Sequence, residues 1–384
     1  MSKRFSLQNM LAVAGLVLII GSMLLSTILP GLGVGTSNQP APQATAAQPT
    51  LAAITFPTPD PDGPQVEAAG TYVHPSAVFF VMQPQGWTPS PTTQSTVASV
   101  SMVNGALYSV VHAYVQQYDS SQSLVTLDGA ASPQELAASW AEYETWQETS
   151  RVIVDDRLII DFELSLAGNT YLARHITWVE PPDTTWALVL RLVVPGNNPA
   201  LLDALQDTII PSYHLLPDSL GVPLIWPAYI DGVWGYSIKY PETWALVDGG
   251  PGRTVTLSDG SDVATLTLSA EENTAVADAD AAREWVAAYR DGADISGVEA
   301  VTRAFGDGFR VAYTFTDADG EENSGLAVLI NAPDGRLLTA NLRLLGTQLD
   351  LLDEEASAAQ LEALQVLGTF APLPEMIARG VPEE

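Results

Sequence analysis

Beyond residue 70, apolar and polar positions alternate over run after run, and most runs end at glycine, proline, asparagine or aspartate. Such runs are half-buried strands. In Gly232–Trp244, Tyr236, Ile238 and Tyr240 alternate with Ser237 and Lys239, Pro241 stops the strand and Trp244 follows. A worn copy stands earlier, where Phe79, Val81 and Gln83 alternate ahead of Pro84-Gln85-Gly86-Trp87. A strand followed by Pro-x-x-Trp therefore opens each of two similar domains.

The two halves continue in parallel. Val97–Val103 and Ala106–Val115 flank Asn104-Gly105, and Thr254–Ser258 and Val263–Ser269 flank Asp259-Gly260. Both dipeptides supply the positive φ of a tight turn, so both pairs are expected to be hairpins. A helix follows in each half. Ser132-Pro133-Gln134-Glu135 is a capping box leading into Leu136, Trp140 and Tyr143, and its counterpart runs from Asp278 through Trp285 to Tyr289. Three further strand regions come next. They are Arg151–Val154 with Leu158–Leu166, Tyr171–Val179 and Thr185–Val194 in the first half. In the second they are Val298–Ala304 with Phe309–Thr316, Ser324–Asn331 and Leu337–Leu345. Leu190-Arg191-Leu192 matches Leu342-Arg343-Leu344. The closing helices show the duplication most clearly. Leu202-Asp203-Ala204-Leu205-Gln206 matches Leu361-Glu362-Ala363-Leu364-Gln365, with Asn198 and Ser357 as expected N-caps and Ser357 with Gln360 as a capping box.

An opening of the form Gly-Tyr-Ser-Ile-x-Tyr-Pro-x-x-Trp, followed by meandering strands, a central helix and a terminal helix, resembles the PsbP/Mog1/DcrB-like families. The resemblance spans Gly232 to about Phe370. It reaches Tyr72 to about Leu216 only through the duplication, because the Gly-Tyr pair is missing there and Gln83 replaces the tyrosine. It implies an α+β fold: two tandem domains, each a mainly antiparallel sheet sandwiched by helices. Members of these families mostly act as non-catalytic partners, such as photosystem assembly factors, a small-GTPase accessory protein and exported bacterial proteins. Fold does not fix function, so none of those roles transfers by itself.

The first thirty residues change the setting. Lys3 and Arg4 precede an uncharged apolar run, Met10–Leu29, long enough for the hydrocarbon core of a bilayer. The nearest Ala-x-Ala, Ala44-Thr45-Ala46, lies too far downstream for a signal-peptide cleavage site, so an uncleaved anchor is expected. The next basic residue after Arg4 is Arg151, and the positive-inside rule then puts the N-terminus in the cytoplasm and the remainder outside. Residues 31–69 are rich in Thr, Ala and Pro and read as a linker. The expected organisation is 1–30 stub and anchor, 31–69 linker, 70–218 first domain, 219–373 second domain and 374–384 tail.

Net charge is −30 over 384 residues, with −11 in residues 70–218 and −18 in 219–384. An acidic surface of this kind repels phosphate backbones, which argues against nucleic acid and leaves basic proteins, cations or neutral ligands. There is no cysteine, hence no disulfide, thiolate metal site or cysteine nucleophile.

Candidate chemistry is sparse. His74, His112, His175 and His214 show no metal-ligand spacing. Asp317–Glu322 lacks the full spacing of a calcium loop. Gly249-Gly250-Pro251-Gly252 lacks the lysine and helix of a phosphate loop, and no Gly-x-Ser-x-Gly elbow is present. No catalytic, cofactor-binding or metal-binding residue is assigned, and the chain is not expected to be an enzyme. The leading expectation is a membrane-anchored, extracytoplasmic, non-catalytic module that binds another protein or envelope component. A carrier of a small apolar ligand and a carboxylate-based envelope hydrolase are the alternatives. Protease added to intact cells should release a fragment beginning within the linker; protection of both domains would reverse the orientation.

Overall fold

The structure is a computed structural model that describes residues 54–118, 127–180, 185–261 and 263–374. The expected anchor Met10–Leu29, most of the linker and the tail beyond 374 lie outside the described residues. Among the described residues no helix is long and apolar enough to cross a membrane.

The first half runs β1 (Ala68–Val73), β2 (Phe79–Pro84), β3 (Thr88–Thr93), β4 (Val97–Asn104) and β5 (Ser109–Gln117). Helix α1 (Pro133–Ser139) follows, then β6 (Thr145–Val154), β7 (Arg157–Leu166), β8 (Asn169–Val179) and β9 (Trp186–Pro195). Helix α2 (Pro199–Ile209) and β10 (His214–Leu215) close it. The second half opens with β11 (Ala228–Asp231), β12 (Tyr236–Lys239), β13 (Ala245–Asp248), β14 (Val255–Ser258) and β15 (Ala264–Glu271). Helix α3 (Ala279–Tyr289) leads to β16 (Asp294–Arg303), β17 (Gly306–Thr316), β18 (Glu322–Asn331) and β19 (Leu337–Leu345). Helix α4 (Leu361–Gly368) and β20 (Ala371–Pro372) come last.

Each half builds a seven-stranded sheet, ordered β3-β4-β5-β9-β8-β7-β6 in one and β13-β14-β15-β19-β18-β17-β16 in the other. Each also builds a three-stranded sheet, β1-β2-β10 and β11-β12-β20. The strand order is therefore the same twice over, with antiparallel ladders through the meanders β6–β9 and β16–β19. By contacts the chain divides into two compact units whose membership is not contiguous in sequence. One holds Pro84–Ser90 and Val100–Pro211 with the residues before Ala68; the other holds Ala68–Gln83, Pro91–Ser99 and the chain from Ser212 on.

Local chemistry accounts for the elements. Ser132 Oγ accepts from Glu135 N at the start of α1, Asn198 Oδ1 from Leu201 N at α2, and Asp278 Oδ1 from Asp280 N and Ala281 N at α3. The glycine-rich segment 249–252 is tied to the opening hairpin of the second half. Buried Asp231 accepts from the N–H groups of Val233 and Trp234 at 2.9 and 2.8 Å and from Gly252 N at 2.9 Å.

Several expectations are corrected. Tyr236–Lys239 is buried on both faces, because β12 is the middle strand of its sheet and packs on either side. Tyr236 and Ile238 enter the main core, while Lys239 turns towards the carbonyls of Ser219 and Pro223. The expected tight hairpins are longer loops, with β5 starting only at Ser109 and β15 at Ala264. β6 begins at Thr145, ahead of the expected Arg151. Strands β3 and β13 are not marked by the alternation at all. Ser357 ends a short helical turn, Glu354–Ser357, and the closing helix starts at Leu361 with Gln360 as its cap.

Trp244 sits in the core of the second half with Tyr236, Ile238, Val366 and Phe370. It is 4% exposed, and its Nε1 donates to Glu362 at 3.3 Å. Trp244→Ala should cost about 3–5 kcal/mol in chemical denaturation, the usual loss on emptying a large buried aromatic site.

Candidate functional site

The outer strand of each meander, β6 or β16, has one neighbour in its sheet, and the two differ in cover. β6 and β16 each carry a bulge, flanked by Glu148 and Arg151 in one and by Ile295 and Val298 in the other. In β16 those two aliphatics pack into the cluster that Ala282 and Val286 of α3 complete. In β6 every residue is exposed, on both faces. The helices cover different strands. α3 packs on β16 and β17, whereas the helical turn Leu127–Ala130 packs on β7 and β8. Leu136 of α1 and Trp140 at its C-cap pack on Leu158, Ile160, Phe162 and Leu164 of β7, one strand short of the edge.

One face of β6 bears Trp146, Glu148, Arg151 and Ile153, opposite Leu164, Phe162, Ile160 and Leu158 of β7. Trp146 meets the Phe162 ring edge-on at 6.0 Å and is 37% exposed, while Ile153 is 62% exposed. Arg151 Nε and Nη2 donate to the two carboxylate oxygens of Glu148, each at 2.9 Å. That bond holds the Glu148 carboxyl below the usual carboxylate range. On the other face Val152 and Val154 are about half exposed. A long exposed edge bearing Trp146 and Val152-Ile153-Val154 is what sheets normally avoid; β6 answers it only with its bulge and one ion pair, and the opposite edge shows a stronger remedy. β3 reads Thr-Pro-Ser-Pro-Thr-Thr, and its prolines cannot donate to a further strand.

Two of the four histidines are brought together inside the first half. Arg191 on β9 pairs with His112 of β5 on one side and His175 of β8 on the other. Its guanidinium lies 4.8 Å from the Tyr114 ring and 5.9 Å from the Trp140 ring, and Nη1 donates to Ser139 O at 3.2 Å. Burial beside this fixed cation drives both histidines neutral: His112 falls well below its ordinary value and His175 falls to about 3. Burial pushes the Glu142 carboxyl up to about 7, against the pull of Arg191. Sequence spacing could not show this row, because it depends on the register of three strands.

His74 is also buried, bonded to Ser76 Oγ at 2.7 Å and Ser99 O at 3.2 Å, and burial lowers it to about 4. His214 lies on β10, its ring 5.4 Å from that of Phe80. Asp317 closes the β17–β18 hairpin, accepting from Asn323 and from Arg343 Nη2 at 3.2 and 3.0 Å. Among the described residues no group of three His, Asp or Glu is placed to hold a metal ion. A cleft of about 200 Å³ lies between the β16–β18 end of the sheet and α4, lined by Leu326, Leu352 and Leu367 with Glu299, Arg303 and Arg310. It falls below the roughly 300–1,000 Å³ of small-molecule pockets.

Lys239 is 0% exposed, with Nζ donating to Ser219 O and Pro223 O at 3.5 and 3.0 Å. Burial lowers its amine to about 7.

No family model matches the chain, and no curated protein does. Solved structures similar to it include cyanobacterial PsbP (CyanoP) from Synechocystis sp. PCC 6803, at 20% identity over 38% of this chain and 91% of that one, with a TM-score of 0.31. The immunity protein TplEi of the Pseudomonas aeruginosa T6SS, in complex with "L" peptide, is 11% identical over 76% of this chain and 99% of that one, with a TM-score of 0.22. A chain of the Tle4–Tli4 complex is 12% identical over 75% and 98%, with a TM-score of 0.22. Each is a partial likeness, and none says what this chain does.

The buried amine makes stability depend on pH. An unfolded lysine titrates at about 10.4, so between that value and the folded one the unfolded chain binds the extra proton and stability rises with pH. Stability of this unit should therefore climb from about pH 7 to about pH 9, and Lys239→Met should flatten that slope in denaturation series. An unchanged slope would mean that the amine is not held in a poorly solvated place.

Proposed function

We propose that this chain is a non-catalytic binding module, made of two tandem PsbP/Mog1/DcrB-like domains held outside the cell by the Met10–Leu29 anchor. The observation that carries the reading is the β6 edge. Ten consecutive exposed residues, three of them Val152, Ile153 and Val154, end a seven-stranded sheet without proline. Such an edge takes up an extended strand of another polypeptide, whose main chain supplies affinity while alternate side chains supply selectivity. The linker adds reach, and the acidic surface favours partners with basic flanks.

One observation favours the hydrolase alternative: Glu142, with a carboxyl raised to about 7, stands near Arg191. A general acid needs such a value. Turnover of an ester, peptide or glycoside that disappears in Glu142→Gln would replace the binding reading. The apolar carrier is less well supported, since the Leu326 cleft is small and has charged walls.

A photo-crosslinking residue in place of Thr149, expressed in the native membrane, identifies what lies against the edge. Ile153→Lys should then weaken binding of that species by about tenfold or more, the loss typical of an interface anchor. Its unfolding midpoint should stay at the parent's value, because Ile153 is exposed. Binding unaltered by Ile153→Lys would remove β6 from the reading.

A further inference from the structure

We infer that the strand taken up by β6 is β6 of a second copy of this chain, joining two seven-stranded sheets about a two-fold axis. The inference rests on the edge being a binding surface and adds the identity of its occupant.

The carrying observation is that β6 is complementary to itself when run antiparallel. The bulge at Glu148/Ser150 puts Trp146, Glu148, Arg151 and Ile153 on one face. Set Trp146 opposite Ile153 of the second copy, and Glu148 falls opposite Arg151, Arg151 opposite Glu148, and Ile153 opposite Trp146. On the other face Gln147 meets Val152 and Thr145 meets Val154. Aromatic–aliphatic and opposite-charge neighbours are the stabilising cross-strand pairs, and here both occur twice by symmetry. Each Glu148–Arg151 pair, already bonded within its own strand at 2.9 Å, becomes half of a four-charge cluster. Slides of three residues in either direction are penalised, because they place Glu148 against Glu148 or Arg151 against Arg151 and set like charges face to face.

The rest of the fold directs the joint to this edge. β3, at the other end of the same sheet, is blunted by Pro89 and Pro91. β16, its counterpart in the second half, packs Ile295 and Val298 under α3 where β6 displays the ion pair. One strand pair is a small contact beside the ~1,600 Å² of a standard stable interface, so the dimer exchanges with monomer.

The absence of cysteine makes the register directly measurable. Full chains carrying Gln147→Cys or Val152→Cys are oxidised separately and as a mixture, with sedimentation of the parent followed up to about 300 μM. The mixture should give a disulfide-linked dimer of one chain of each kind, about tenfold above either variant alone, since like residues stand too far apart to bridge. The parent should show concentration-dependent dimer that Ile153→Lys abolishes. Equal cross-linking of like and unlike chains, or a parent that stays monomeric throughout, overturns the inference. If the chain is monomeric yet Ile153→Lys weakens another bound polypeptide, the binding module stands and only self-pairing falls. If Ile153→Lys changes neither, both fall.

Discussion

A sheet face stays dry only as far as a helix reaches across it, and that limit shapes both halves of this molecule. With α3 over its meander, the second half can place Ile295 and Val298 on its edge strand and keep them half-buried. In the first half, the helical turn Leu127–Ala130 and α1 cover the sheet as far as β7, and its edge strand stands in water on both sides. The residues follow the cover. Beside its bulge β6 carries Glu148 and Arg151, which satisfy each other, while Trp146 keeps contact with Phe162 through its ring edge. One strand order, used twice, thus yields a covered end strand in one place and an open one in the other.

The same reasoning explains how far the sequence could be read. The alternation and the caps at Ser132 and Asn198 located many of the strands and helices, and the duplicated Leu-acid-Ala-Leu-Gln helices pointed to a repeated plan. What escaped depended on partners far apart in sequence. Ser237 and Lys239 look like the wet face of β12, yet both are buried; the Lys239 amine donates to the carbonyls of Ser219 and Pro223, and its backbone N–H to the hydroxyl of Thr369. His112 and His175 become neighbours only through Arg191, on a strand between theirs. The bareness of β6 was not legible, since it depends on which strands the helices of the first half pack against. The Val152-Ile153-Val154 run reads as a buried strand, and nothing within it signals otherwise.

The buried histidines share one physical signature. His112 and His175 are held neutral beside a fixed guanidinium, and His74 is neutral among Ser76 and Ser99. Each is kept uncharged by its surroundings, so acid acts on these cores by forcing charge into them.

Lys239 has a further consequence. Beyond Lys3 it is the sole lysine of the chain, and its amine is sealed in the interior. The folded domains therefore show amine-directed reagents nothing to react with, and trypsin must rely on arginine. Acylation at Lys239 can occur only when its unit opens, so one chemical mark on one residue becomes a clock for that opening, read without any engineered label.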